Sequence, residues 1–143
     1  MTTRTIRTVW AAALVASGAI AAGAYAQSGT PTAIELAQMP KFCYGEFRVP
    51  GAEGDEYRIP RSTCGGGVNH YCYGLMKLIR AKGYVPNKQK RKAMLEDAAA
   101  DFRYTASWIK DYPTCPIRDH VTASLSEVRG LQLGYGFKPS AGP

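Results

Sequence analysis

The fold of this chain is decided by residues 69–82, which read NHYCYGLMKLIRAK. Asn69 is a favourable helix N-cap, and Gly83 directly after Lys82 is a typical helix stop. Within this stretch one set of positions recurs at helical spacing and predicts an apolar face that needs a packing partner. These positions are Tyr71, Leu75, Leu78, Ile79 and Lys82.

Two more helices are predicted after the first. The second begins near Asn87, just after Pro86, and extends to about Tyr112, and its buried face consists of Leu95, Ala98, Ala99, Phe102, Ala106 and Ile109. The third opens after Thr114-Cys115-Pro116 and places on one face Ile117, Val121, Leu125 and Val128. It is expected to weaken at Gly130, because glycine is about 1 kcal/mol less favourable than alanine inside a helix.

Short connections make successive helices antiparallel neighbours, so the sequence predicts an all-α fold: a small helical hairpin plus a third helix. Strand signals are absent. Before the hairpin, Thr32 and Glu35 form a capping-box pattern for one short helix that ends before Pro40. The predicted divisions are a secretory signal peptide (1–26), an irregular arm with one short helix (27–67), a helical domain (68–133) and a flexible tail (134–143).

The first 26 residues have the pattern of a cleaved export signal. Arg4 and Arg7 provide a positive start, residues 9–22 are almost wholly apolar, and Ala24-Tyr25-Ala26 is a typical cleavage site. The apolar run is too short for a convincing membrane anchor. We therefore expect a protein of the periplasm or the extracellular space.

Four cysteines lie beyond this signal, and in an oxidising compartment an even number predicts disulfides. The second predicted helix is longer than the first by roughly 15 Å, at about 1.5 Å per residue. That offset disfavours a bond between Cys72 and Cys115. We prefer Cys43–Cys72 with Cys64–Cys115, because both bonds tie the arm to the helices. The pairing of Cys64–Cys72 with Cys43–Cys115 stays open.

The chain carries a net charge of +7, from 18 Lys and Arg against 11 Asp and Glu. Removal of Arg4 and Arg7 leaves about +5, which is well short of the charge typical of nucleic-acid-binding proteins. No nucleic-acid partner is expected.

The positive charge is concentrated around the turn of the helical hairpin. Residues 77–92 contain seven basic side chains and no acidic one: Lys77, Arg80, Lys82, Lys88, Lys90, Arg91 and Lys92. Those from 88 to 92 stand at a helix start, where the macrodipole disfavours positive charge. The cluster is therefore a candidate site for an anionic partner, such as an acidic protein patch or an anionic membrane surface. A solubilising helix tip is the simpler alternative.

No catalytic constellation or cofactor motif is found in the sequence. The only histidines, His70 and His120, are not accompanied by a nucleophile motif, and C-x-x-C and P-loop patterns are absent. The acidic residues of the second helix are interpreted as a solvated face. A metal-binding or redox protein that uses His70, Cys72 and His120 remains the alternative to an interaction module.

The predicted hairpin of residues 69–112, followed by 117–133, resembles tetratricopeptide-type repeats. The matching features are Ala98-x-x-x-Phe102, Pro113 at the end of the second helix and Gly130 late in the third. The segments Pro40-Lys41-Phe42-Cys43 and 69–75 also resemble poorly characterised secreted bacterial proteins with such helices. The resemblance implies protein interaction without catalysis. Independently of it, we expect the contact surface to be the basic turn or a groove beside the third helix.

Overall fold

The computed structural model describes residues 29–83 and 85–139, and the predicted signal peptide lies outside them. The described part contains no strand. Its helices, in chain order, are α1 (Ala33–Leu36), α2 (Phe42–Glu46), a 3-10 turn (Asp55–Tyr57), α3 (Arg61–Cys64), α4 (Val68–Lys82), α5 (Lys88–Ile109) and α6 (Arg118–Gly134). The all-α prediction is therefore confirmed.

The core is built by α5, which packs against α4 on one side and α6 on the other. The predicted face of α5 is buried as expected: Leu95, Ala98 and Phe102 are inaccessible to solvent, and Ala106 packs against the core. Asn87 caps this helix, since its side chain accepts hydrogen bonds from the amides of Gln89 and Lys90. Helix α6 continues through Gly130, which is exposed, so the expected weakening there is not observed.

The arm contains more helix than the single short one that was predicted. The capping box at Thr32 and Glu35 is present at α1, but α2, the 3-10 turn and α3 follow it. Aromatic contacts hold α2 in place: the Phe47 ring meets Tyr73 edge-on at 5.1 Å, and the Phe42 ring lies 6.0 Å from Tyr71. These contacts join distant parts of the chain, which explains why local sequence patterns do not show them.

Both preferred disulfides are formed. Cys43–Cys72 joins α2 to α4, and Cys64–Cys115 joins α3 to the segment before α6. The structure thus confirms the pairing that ties the arm to the helical domain, and it excludes the pairing of Cys64 with Cys72.

The segment after α6 differs from the flexible tail that was predicted from residue 134 onwards. Gly134 still belongs to α6, and the amide of Phe137 donates a hydrogen bond of 2.7 Å to the carbonyl of Gln132. The Phe137 side chain is only 8% exposed. Burial of this aromatic ring is the physical reason why the chain turns back onto the bundle as far as the described residues extend.

Candidate functional site

The seven predicted basic residues lie on the two arms of the α4–α5 hairpin, but most of them have partners within the protein. Four of them form ion pairs with carboxylates: Lys77–Asp101 at 2.7 Å, Arg80–Glu35 at 2.7 Å, Lys82–Glu127 at 2.9 Å and Lys92–Glu96 at 3.7 Å. Three of the four acids belong to α1, α6 and the middle of α5. The sequence stretch 77–92 therefore overstates the net positive charge of this region.

Arg91 has a structural role at the hairpin turn. Its guanidinium donates hydrogen bonds to the carbonyls of Ala81 and Gly83, which have no partner within helix α4. It also lies 4.5 Å from the centroid of the Tyr135 ring, in cation–π contact. This side chain joins the end of α4, the start of α5 and the segment after α6.

Lys88 and Lys90 remain on the first turn of α5, where there is no acidic residue. The Lys88 ammonium lies 5.3 Å above the Phe137 ring, and Lys138 follows that ring directly. All three lysines are exposed. We call Lys88, Lys90 and Lys138 the basic end of the bundle. The sequence did not indicate Lys138, because it belongs to the predicted tail. The aromatic residues Tyr135 and Phe137 could have indicated that this segment packs against the bundle.

The histidines do not form a metal centre with Cys72. The sulfur of Cys72 is in a disulfide and is not the thiolate that binds zinc or copper. His70 Nδ1 lies 3.0 Å from Asp101 Oδ1, and its ring contacts the Tyr104 ring at a 45° tilt, with centroids 4.1 Å apart. His120 stands at the exposed start of α6. Within residues 29–83 and 85–139, no three His, Cys, Asp or Glu side chains are placed to hold a metal ion.

An aromatic surface lies on the outer side of α5. Tyr104 and Trp108 are 44% and 41% exposed, and their rings are 6.3 Å apart. Trp108 also packs against the glycine loop that precedes α4, because a Cβ atom on Gly65 would lie 3.1 Å from the indole. The exposed edge of Trp108 therefore belongs to a ring whose other side packs within the protein.

Comparisons with known proteins place the chain in no family. No family model matches it, and neither a curated protein nor a solved structure is detectably similar. Within the described part of the chain, no helix has the length and apolar character needed to cross a membrane. The tetratricopeptide-like arrangement remains a prediction.

Proposed function

We propose that this protein is exported and acts as a non-catalytic interaction module, an accessory subunit whose basic end binds an acidic surface of a partner protein. The observation that carries the proposal is the placement of Lys88 and Lys90 on the first turn of a 22-residue helix with no acid beside them. The two disulfides are compatible with an oxidising, exported environment.

The helix macrodipole makes this placement unfavourable for folding. The amino end of a helix carries about half a positive charge, so lysines there repel it, typically by 0.3–1 kcal/mol each. The neighbouring Lys82 and Lys92 have carboxylate partners that reduce such repulsion, whereas Lys88 and Lys90 form no ion pair with any residue that the structure describes. An acidic partner would supply the missing compensation and would be steered towards this end by its charge.

A protein partner is favoured over a membrane because, among the described residues, the basic end has no exposed apolar face. Phe137 is buried beneath Lys88, and Tyr135 is half-buried beneath Arg91. The exposed Leu133 is a single side chain. Interfacial membrane binding requires a continuous apolar face beside the cations.

The proposal is tested with Lys88→Glu/Lys90→Glu, using Lys41→Glu/Lys110→Glu, at exposed positions outside the basic end, as the control with the same change of charge. The probe is a fluorescent polyglutamate peptide, and its affinity is measured by anisotropy at low and at physiological salt. We expect the double variant to weaken binding by about tenfold or more, which corresponds to roughly 1.4 kcal/mol. The control is expected to change it less than twofold, and salt is expected to weaken binding by the native protein.

Two results would overturn this assignment. Equal losses for the control and the double variant would show that net charge alone matters. Binding to vesicles of phosphatidylglycerol and phosphatidylcholine, with none to polyglutamate, would show that the basic end binds an anionic lipid surface and not an acidic protein.

A further inference from the structure

A polar cavity of about 420 Å³ lies where the arm meets the beginning of α4. Its lining brings together a carboxylate, a guanidinium, an amide and two aromatic rings, from Glu46, Arg48, Asn69, Phe47 and Tyr73. A volume of this size lies within the range of small-molecule sites. Because α4 separates it from the hairpin turn, the cavity is independent of the basic end.

The two charged groups of the cavity stand outside the ion pairs of the described part of the protein, although Arg61 and Arg58 lie near Glu46. Neither the half-buried Glu46 carboxylate nor the Arg48 guanidinium makes a salt bridge or a hydrogen bond there. Burial raises the pKa of Glu46 above its ordinary value, although the nearby charges of Arg61 and Arg58 act in the opposite direction. An unpaired acid and an unpaired base beside one cavity are features of a binding site.

The backbone of Arg48 has a conformation that favours glycine. Its φ angle is 53°, in the left-handed region. The amide of Val49 donates to the carbonyl of Tyr44 and the amide of Arg48 to that of Gly45, which is the Schellman pattern at the end of α2. Glycine is the usual residue at this position, and an arginine there is strained. Strain of this kind clusters at functional sites.

Asn69 contributes an unsatisfied hydrogen-bond acceptor. Its Oδ1 atom is buried and has no hydrogen-bond partner among the residues described. A buried acceptor without a partner is destabilising, typically by the cost of its lost hydration. Rotation about χ2, a broad torsion in amides, would present this oxygen to a donor in the cavity.

We propose that this cavity binds a zwitterion of dipeptide size. Its ammonium group is held by Glu46 and by Asn69 Oδ1, and its carboxylate by Arg48. An apolar side chain of the ligand packs against the edge-to-face pair of Phe47 and Tyr73. In this arrangement Glu46 and Asn69 Oδ1 accept hydrogen bonds from the ammonium, and Arg48 donates hydrogen bonds to the carboxylate.

The experiment is calorimetric titration of the full-length protein with three matched probes. Leucyl-leucine carries both charges, N-acetyl-leucyl-leucine lacks the ammonium, and leucyl-leucine amide lacks the carboxylate. We expect leucyl-leucine to bind, and each blocked probe to bind at least tenfold more weakly. Absence of leucyl-leucine binding, or equal binding of all three probes, would refute the site.

Two variants link binding to the named residues without damage to the fold. Arg48→Gly is expected to unfold at the same or a higher temperature, since glycine accepts the left-handed conformation, yet to weaken leucyl-leucine binding at least tenfold. Glu46→Gln is expected to remove the preference over the N-acetyl probe. Lys138→Gly, which removes a charge at the basic end, is the control that leaves binding unchanged. Wild-type affinity in Arg48→Gly would exclude the proposed carboxylate contact.

Discussion

At the scale of single residues, Gly74 determines how closely α4 and α5 approach each other. A Cβ atom at this position would lie 2.6 Å from Cε1 of Phe102. The Phe102 ring is fully buried in the core and contacts the Tyr71 ring, so it cannot give way by moving into solvent. Gly130 provides the opposite case, because nothing lies within 4 Å of its hypothetical Cβ atom.

Alanine at these two glycines should therefore have opposite effects. Both substitutions gain about 1 kcal/mol of helix propensity. Gly74→Ala also overpacks the core, which typically costs about 1–3 kcal/mol, so we expect a net loss of about 1 kcal/mol. Gly130→Ala should be stabilising by roughly 0.5–1 kcal/mol. Urea denaturation measures both; equal stabilisation by the two variants would contradict the close approach at Gly74.

The glycine run at residues 65–67 has a packing role that its sequence alone does not indicate. As a sequence it indicates a flexible joint before α4. In the structure the Thr105 hydroxyl donates a 3.0 Å hydrogen bond to the carbonyl of Gly67, and a Cβ atom there would lie 3.1 Å from the Thr105 Cα atom. The run permits a close contact between segments about 40 residues apart. No local pattern indicates that partner.

At the scale of elements, the four-residue helix α1 is held by one carboxylate. Glu35 closes the capping box with Thr32 and accepts from Nε and from a terminal nitrogen of Arg80, at 2.7 and 3.1 Å. Partial burial alone would raise the pKa of Glu35, but the bonds from Arg80 and Thr32 outweigh it. They lower the pKa from its ordinary value of 4.5.

This shift predicts how acid affects α1. A carboxyl group whose pKa is lower in the folded state stabilises the fold above its ordinary pKa, and this stability is lost as the pH falls through the folded value. We therefore expect the melting temperature to decrease below about pH 4.5. Glu35→Gln should weaken that dependence, because it removes the titrating group. Thermal melts over a pH series measure this dependence of the melting temperature on pH. An unchanged dependence in Glu35→Gln would show that other groups cause the loss of stability in acid.

The long helices could be predicted because each carries a periodic apolar face. Leu95, Phe102 and Val121 were all identified in this way and are buried. Helices α2 and α3 were missed because their residues have no period. Helix α2 is held against α4 by Cys43–Cys72 and by the Phe47–Tyr73 contact, and α3 is held by its bond to Cys115.

At the scale of the whole molecule, the two disulfides constrain long segments of the unfolded chain. The sequence separations are 29 residues for Cys43–Cys72 and 51 for Cys64–Cys115. In the chain-entropy model, loops of these lengths correspond to about 3.6 and 4.1 kcal/mol of stabilisation. These values are a large part of the stability of a small domain.

Removal of either bond should be severely destabilising. We expect Cys43→Ala/Cys72→Ala and Cys64→Ala/Cys115→Ala each to lose about 3–4 kcal/mol of unfolding free energy, as measured by denaturant titration. The second pair should lose slightly more, because its loop is longer. A loss below about 1 kcal/mol for either pair would show that packing alone orders the arm.

Only part of the candidate sites could be predicted from the sequence. The basic cluster was visible as a run of charges, but the partners Glu35 and Glu127 lie 45 residues from Arg80 and Lys82. Only the folded chain separates the paired cations from Lys88 and Lys90. The cavity beside Glu46 was not predicted, because its lining comes from separate segments.

The order of the cysteines has a consequence for biogenesis. Cys64 lies inside the loop closed by Cys43–Cys72, so the two native bonds interlock along the chain. If the chain is exported as proposed, amino terminus first, an oxidase would meet Cys43 and Cys64 before Cys115 emerged. A bond between those first two thiols would be non-native and would have to be exchanged later. In that case, whenever Cys43 and Cys64 became joined first, the native pairs would form only after thiol–disulfide exchange.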